Sequence, residues 1–523
     1  MATNVQLAAA IEVRNPATSE LLREIPCQSD AQVNQAVLHA RHAQPVWNAL
    51  GISKRVEVLR NFQALLHSKK SEIARDITVE AGKPVVEALL TEVNVVLDAA
   101  RFCLENARSF LRDEALPHGS LAMKTKSGRI VREPYGVIGI IAPWNYPFAI
   151  PATESLAALV TGNAVVLKPS ELTPLIALKL ASLLHQAGVP QDAFQVVIGA
   201  GPTGAALVNS NIDKLVFTGS VATGKRIAQT AGARLLPMVL ELGGKDPMIV
   251  LDDADIDVAS SGAVWGAFMN AGQTCLSVER CYVHRSIIRP FTDACVAKTK
   301  QLRIGNGLDP QTEIAPMIHE RQLRTVEAQI EDARSKGARV VVGGERLANL
   351  GPNFYAPTVV CNVDHSMRLM RDETFGPVLP IMPFDSDEEA VTLANDSEYG
   401  LAASVWTKNQ SRGEAIARRI QAGTVMINDT ISCFGISEAP HGGMKASGIG
   451  RTHGRFGLEE MVRIKYLDLD HLPKMKKLWW YGYSEAFTRR MEGFVDMQFA
   501  KSARQRLRGA LRTLGLLRRK EQL

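Results

Sequence analysis

Short apolar runs rich in β-branched residues, set at near-regular intervals, constrain this chain more than any other feature. Residues 137–142, 164–167, 194–198 and 214–217 each read as a strand covered on both faces. Helix-like stretches lie between them, at 172–187 and 204–208. Strand, crossover helix and strand in succession imply a parallel sheet. Residues 238–242 and 248–251 read as strands flanking a Gly-Gly turn. Past Asp255 the alternation resumes in a second block: a helix near 256–271, a strand near 280–284, helices near 288–302 and 319–336, and a strand near 339–343. Upstream, 29–116 is mostly helical, because Ala36, Ala40, Ala43 and Trp47, then Val56, Leu59, Leu65 and Leu66, recur near the helical period. Residues 124–134 read as a short alternating strand. The fold class is therefore α/β, and 523 residues suffice for two domains or more.

Other features exclude whole classes. The seven cysteines (27, 103, 275, 281, 295, 361, 433) form no CxxC pair and no Cys/His cluster with zinc spacing. That points to free thiols in a reducing, cytoplasmic compartment, with no metal. No basic region precedes an apolar core at the N-terminus, so no signal peptide is expected. The uncharged runs 134–153, 193–212 and 258–278 carry Pro, Gly, Ser, Asn or Gln throughout, which suits buried strands and loops better than a membrane helix. The net charge of +6 misleads: 13 of the 60 Lys/Arg but only 4 of the 54 Asp/Glu lie from His471 onward. The remainder is slightly acidic, which argues against a nucleic-acid surface on the globular part.

The stretch GQTCLS offers one candidate nucleophile, Cys275, in a small polar turn. A thiol attacks only as thiolate, so a catalytic Cys needs a base or positive field, an oxyanion partner and an acceptor for electrons or acyl group. Alone, Cys275 reads equally as a small buried hydrophobe. Two glycine loops follow strands and open helices. Gly199–Gly204 has the form GxGxxG but contains Pro202, and no acidic residue ends the next strand. Gly219–Lys225 resembles a Walker A loop, yet Arg226 stands where Ser or Thr would hold magnesium, which argues against ATP. The second loop still presents free amides suited to a phosphate, or is a structural turn.

Seven short stretches, PWNYP (143–147), LKPSE (167–171), FTGSVATG (217–224), LELGGKDP (240–247), FMNAGQTC (268–275), ETFGPVLP (373–380) and PHGGMKASGIGR (440–451), together resemble the NAD(P)-dependent aldehyde dehydrogenase superfamily, in order and near its spacings. The likeness runs from about residue 10 to 468. It implies a Rossmann-like NAD-binding domain (1–119 and 136–243), an α/β catalytic domain (244–454) and a small β oligomerisation element (120–135 and 455–470), in a homodimer or homotetramer. It implies Cys275 as nucleophile, Asn145 with the Cys275 amide as oxyanion donors, and Glu241 as the base that activates water against a thioester. A carboxylate between Leu240 and Leu242 is expected to have a raised pKa. For the cofactor it implies Lys168 and Glu171 at the adenosine ribose, Gly219, Ser220 and Gly224 at the pyrophosphate, Glu373 at the nicotinamide ribose, Phe375 packed on the nicotinamide, and Trp144 alongside. Glu171 favours NAD over NADP, because a carboxylate repels a 2′-phosphate.

By the same resemblance, Tyr146, Thr274, Leu276, Phe434 and His441 line the aldehyde tunnel. The set is largely apolar and has no arginine to grip a carboxylate, so a medium- or long-chain aliphatic or an aromatic aldehyde is expected. His441 is read as a hydrogen-bond donor or as a packed ring. The alternatives are a semialdehyde or betaine aldehyde dehydrogenase, and a non-catalytic protein on the same fold. The tail, 471–523, lies beyond the resemblance. Trp479, Trp480, Tyr481 and Tyr483 follow a lysine cluster, and then Phe487, Met491, Phe494 and Val495, and later Leu507, Ala510, Leu511 and Leu514, fall on helical spacings. Arg504, Arg506, Arg508 and Arg512 flank the second stripe. A basic amphipathic helix of this kind suits an anionic membrane surface, or it packs on a partner subunit.

Overall fold

The computed structural model describes residues 10–477 and 479–514. Of the expected first domain and tail, residues 1–9, 478 and 515–523 lie outside the described residues.

The chain enters its first sheet at the centre. Val137–Ile141 pairs in parallel with Ala164–Lys168, which pairs with Phe194–Val196. The chain then returns to the other side of Val137–Ile141 as Lys214–Thr218 and continues outward to Met238–Glu241. The short strand Gly448–Ile449 closes that edge, antiparallel. Every residue of Val137–Ile141 and Ala164–Lys168 is buried, which is why these runs are apolar without alternation. The change of direction between Val137–Ile141 and Lys214–Thr218 is a topological switch point, where a crevice opens at the carboxyl ends of the strands. Helices Pro174–Ala187, Gly201–Asn209 and Val221–Ala233 make the crossovers.

The second sheet has seven strands in the order Arg339–Val342, Thr358–Cys361, Val378–Phe384, Arg280–His284, Pro247–Val250, Ala402–Trp406 and Thr424–Ile427. All pair in parallel except the first with the second. Helices Ile256–Phe268, Ile288–Gln301 and Glu320–Ser335 match the expected positions. The N-terminal helices Asp30–Ala49, Gly51–Ser68, Lys70–Ala81 and Asn94–Phe110 bury the predicted Ala36, Ala40, Trp47, Val56, Leu59 and Leu66. One helix escaped sequence reasoning. Ala149–Val160 is buried on nearly every side and so has no polar face to give a periodic signal.

Both sheets belong to one compact unit, residues up to 112 with 132–464. Residues 455–464 group with it, and Leu458 of helix Gly454–Glu459 is buried in its core. The second unit comprises 113–131 and 465 onward. A three-stranded sheet runs Val462–Asp470, Lys126–Pro134, Glu114–Leu116. In the tail, the Lys477 ammonium lies 2.6 Å from Asp470 and Lys126 lies over the Trp479 ring. Helices Glu485–Phe499 and Ala503–Thr513 then form a hairpin. Gly493 and Gly509 allow it, since a Cβ on either would strike the other helix.

Candidate active site

A cavity of about 660 Å³ opens at the carboxyl ends of the first sheet. Of the residues singled out in the sequence, it is lined by Trp144, Asn145, Lys168, Glu171, Gly219, Ser220, Glu241, Cys275, Glu373 and Phe375. Gly224 is buried instead, in a place where a Cβ would collide with Leu242. Gly201 and Gly204 of the discounted GxGxxG loop also line the cavity. Tyr146, Thr274, Leu276, Phe434 and His441 do not line it; Tyr146, Leu276 and Phe434 pack in the same apolar cluster as Cys275.

Local structure explains each placement. Lys168 and Glu241 are the last residues of their strands, so both side chains reach the crevice. Ser220 is the N-cap of Val221–Ala233, its Oγ accepting from the Thr223 N–H. Cys275 follows a sharp turn after Ile256–Phe268, in which Asn270, Ala271 and Gly272 all have positive φ (52°, 54° and 72°). A Cβ on Gly272 would strike the Gly376 backbone. Two consecutive non-glycine residues in the left-handed region cost of order 1–3 kcal/mol each and persist only where surroundings hold them. Here the Glu87 carboxylate accepts from the Asn270 N–H at 3.0 Å, and Gln273 Oε1 accepts from the Ile318 N–H at 2.9 Å.

Asn145 is 4% exposed. Its Nδ2 donates to the Gln273 carbonyl at 3.1 Å, and its own carbonyl accepts from the fully buried Lys83 ammonium at 2.7 Å. Lys83 pairs with Glu92 at 2.7 Å, and Glu92 accepts from the amides of Phe148 and Ala149 that open the next helix. Sequence reasoning missed Lys83 and Glu92. Lys83 stands in the turn after Lys70–Ala81 and Glu92 in a helical stretch, and a lone charged residue in either place is hard to tell from a solvated one. The same holds for Lys245 and Glu279, a buried pair at 2.5 Å. Glu279 accepts from the amides of Thr374 and Phe375 and so fixes the loop that carries Glu373. A Cβ on Gly243 would collide with the Glu373 carboxylate.

Burial, followed by the carboxylates of Glu241, Asp246 and Glu373, pushes the Cys275 thiol well up, so the protein alone holds it protonated. Burial and Glu279 raise Glu373 to about 8. Glu241 departs from expectation. Its carboxyl is held below the usual range, although burial alone would raise it. The cause is His441, whose Nε2 lies 2.8 Å from Glu241 Oε2, assisted by Arg451. His441 is thus an ion-pair partner of Glu241. Around it Phe434 stands edge-on at 5.1 Å, and Phe434 lies 6.4 Å from Tyr146. The Tyr146 hydroxyl and Thr274 Oγ1 are 2.7 Å apart, and Leu276 is 3% exposed in the core.

The model of the aldehyde dehydrogenase family matches residues 3–467, and the chain belongs to that family. It is 39% identical over 467 residues to the mitochondrial succinate-semialdehyde dehydrogenase of Oryza sativa subsp. japonica, covering 88% of this chain and 86% of that one. It is 37% identical over 494 residues to the 4,4'-diapolycopene aldehyde oxidase of Methylomonas sp, covering 94% and 91%. Among solved structures, the NAD+ complex of the aldehyde dehydrogenase from Bacillus cereus superimposes with a TM-score of 0.84 at 36% identity, covering 88% of this chain and 93% of that one. The protein is accordingly an aldehyde dehydrogenase with that family's α/β fold.

Proposed function

We propose that this enzyme oxidises an uncharged, apolar aldehyde to the carboxylic acid, with NAD as acceptor, through a thioester on Cys275. The observation that carries the reading is one cavity wall shared by Cys275, Asn145, Glu241, Glu373 and Phe375. The cavity fits a dinucleotide. It combines the amide-rich start of Val221–Ala233, two carboxylates at Glu171 and Glu373 for ribose hydroxyls, and glycines at 201, 204, 219 and 243 where side chains would intrude. Lys168 and Glu171 would hold the adenosine ribose, Gly219 and Ser220 the pyrophosphate, Glu373 the second ribose, and Phe375 with Trp144 the nicotinamide. When bound, NAD supplies the hydride acceptor. The first sheet then serves the cofactor and the second presents Cys275.

The Cys275 thiol loses its proton to solvent, the thiolate adds to the aldehyde carbon, and the oxygen takes up the negative charge. Asn145 Nδ2 and the Cys275 amide donate to that oxygen; losing one such donor costs about 2.7–4 kcal/mol of barrier. Oxidation of the adduct leaves the acyl group on sulfur. Glu241 takes a proton from water as the water oxygen attacks the thioester carbon, the C–S bond breaks, and the acid departs. The Tyr146–Phe434 aromatic pair beside Leu276 supports an apolar acyl chain, and the relative named for diapolycopene aldehyde agrees. The relatives named for succinate semialdehyde favour a second reading, a carboxylated substrate. Seven free thiols support a reducing, cytoplasmic setting. We further propose a homodimer or homotetramer with a peripheral membrane contact through the tail.

The test is NADH formation with hexadecanal, benzaldehyde, betaine aldehyde and succinate semialdehyde. Cys275→Ala is expected to abolish turnover. Glu241→Gln is expected to keep a single-turnover NADH burst while steady-state turnover falls at least about 100-fold. Preference for succinate semialdehyde would establish the second reading, and near-normal turnover by Cys275→Ala would remove both.

A further inference from the structure

Glu241 is 5% exposed and His441 3% exposed, and both oxygens of the carboxylate are engaged. Oε2 faces His441 Nε2 at 2.8 Å, and Oε1 lies 3.5 Å from Thr452 Oγ1. The imidazole is itself held on two sides. It hydrogen-bonds the Cys433 side chain, and it is packed against the rings of Phe434 and His453, whose centroids lie 5.1 and 5.7 Å away. The Thr452 backbone pairs in both directions with that of His441, so the two residues that touch Glu241 are bridged to one another. A ring fixed this firmly against a carboxylate is a built contact.

We infer that His441 is a positioning residue for Glu241: it keeps the carboxylate ionised and oriented inside an apolar wall, and so sets the pH at which thioester hydrolysis begins. The inference rests on the assignment of Glu241 as the hydrolytic base. The groups facing the pair are Cys433, His453, Arg451, Glu154 and Cys275. Burial holds His453 neutral, down to about 3, and pushes the Glu154 carboxyl well up, so neither brings charge near neutral pH. Cys275 is protonated in the resting protein and acylated in the intermediate. The cations that remain are Arg451 and His441, and His441 keeps its proton to about 10 because Glu241 faces it. Without the imidazolium, burial would push Glu241 upward and leave it protonated at neutral pH, where it cannot take a proton from water.

Water adds to the thioester carbon, its proton goes to Glu241, the C–S bond breaks with its electron pair on sulfur, and the pair sheds the proton to solvent. An adjacent imidazolium weakens Glu241 as a base while raising the fraction ionised. Removing the imidazolium therefore slows the reaction at low pH and spares it at high pH, a signature that disturbed packing does not produce.

The experiment acylates the full-length enzyme at Cys275 with p-nitrophenyl acetate, without nucleotide, and follows decay of the acetyl-enzyme by intact-protein mass from pH 5.5 to 10. Cys275→Ala identifies acetylation at other cysteines. For His441→Gln and His441→Phe the rise of decay rate with pH is expected to move from below the range tested to about pH 7 or above. That makes decay at least about tenfold slower at pH 6, with the gap to wild type closing above pH 9. A pH profile that superimposes on wild type, or an equal loss at every pH in both variants, would overturn the inference. Glu241→Gln separates the two assignments. If it deacylates like wild type, the role of Glu241 itself fails. If it is slow while the His441 variants keep the wild-type profile, only the role of His441 fails.

Discussion

The proposed choice of NAD over NADP turns on one side chain. Glu171 Oε2 lies 3.5 Å from the Lys168 ammonium, and both residues line the cavity. Lys168 is 5% exposed, and burial lowers its pKa while Glu171 opposes the shift. A 2′-phosphate placed here would meet the Glu171 carboxylate, whereas a 2′-hydroxyl can donate to it. Glu171→Ser removes the repulsion and leaves Lys168 free to face a phosphate. The ratio of kcat/KM for NADP over NAD is expected to rise about tenfold, equivalent to roughly 1.4 kcal/mol. Wild-type preference for NADP, or an unchanged ratio in the variant, would contradict the assignment. At this scale the sequence was informative wherever a residue sits in a short motif at a strand end. Lys168, Glu171, Glu241 and Cys275 all line one cavity. What it could not disclose was pairing across distance. Glu241 and His441 are 200 residues apart, so the ion pair that lowers Glu241 is invisible to local pattern, and the apolar neighbours Leu240 and Leu242 suggested the opposite shift.

Between elements, buried carboxylates of the N-terminal helices close the ends of later helices. Glu92 accepts from the first amides of Ala149–Val160, and Glu80 accepts from those of Leu175 and Ile176 at the start of Pro174–Ala187. A helix start leaves amides unpaired and carries partial positive charge, so a carboxylate there offsets both. Lys83 completes the arrangement by neutralising Glu92 and donating to the Asn145 carbonyl. Lys83→Met removes the cation and leaves Glu92 buried and unpaired, which costs about 3–5 kcal/mol. A lower midpoint in urea unfolding is expected. Weaker oxyanion support is expected too, read as a fall in kcat larger than any rise in KM. An unchanged midpoint would show that the pair is not structural. These contacts also explain the unevenness of the sequence reading. The parallel strands were legible because both-face burial demands uninterrupted apolar runs. Ala149–Val160 was not, because a helix buried all round repeats no polar face, and its cap comes from a residue 56 positions upstream.

At the scale of the whole molecule, the tail is the part that the oxidation chemistry does not require. Its first stripe is partly covered: Phe487, Met491 and Phe494 are half-buried, while Val495 is exposed. The second stripe separates into two faces. Gly509 turns toward the partner helix of the hairpin, whereas Leu507, Leu511 and Leu514 are each more than 60% exposed. At 100° per residue these three leucines lie opposite Gly509, with Arg504, Arg508 and Arg512 along one flank. Among the described residues no helix is long and apolar enough to cross a membrane, so the geometry suits a helix lying in an interface. An apolar aldehyde partitions into lipid, so with the substrate proposed such a contact would hold the enzyme where that substrate collects. Full-length protein is expected to float with phosphatidylserine vesicles at low salt and to be released as salt is raised, since each nearby Arg contributes about 1 kcal/mol that salt screens. Leu507→Glu with Leu511→Glu is expected to abolish flotation while leaving turnover of a water-soluble aldehyde unchanged. Flotation unaffected by the two glutamates, or none by the wild type at low salt, would reject the membrane role. A change in oligomer size in the double variant would assign the leucines to a subunit interface instead.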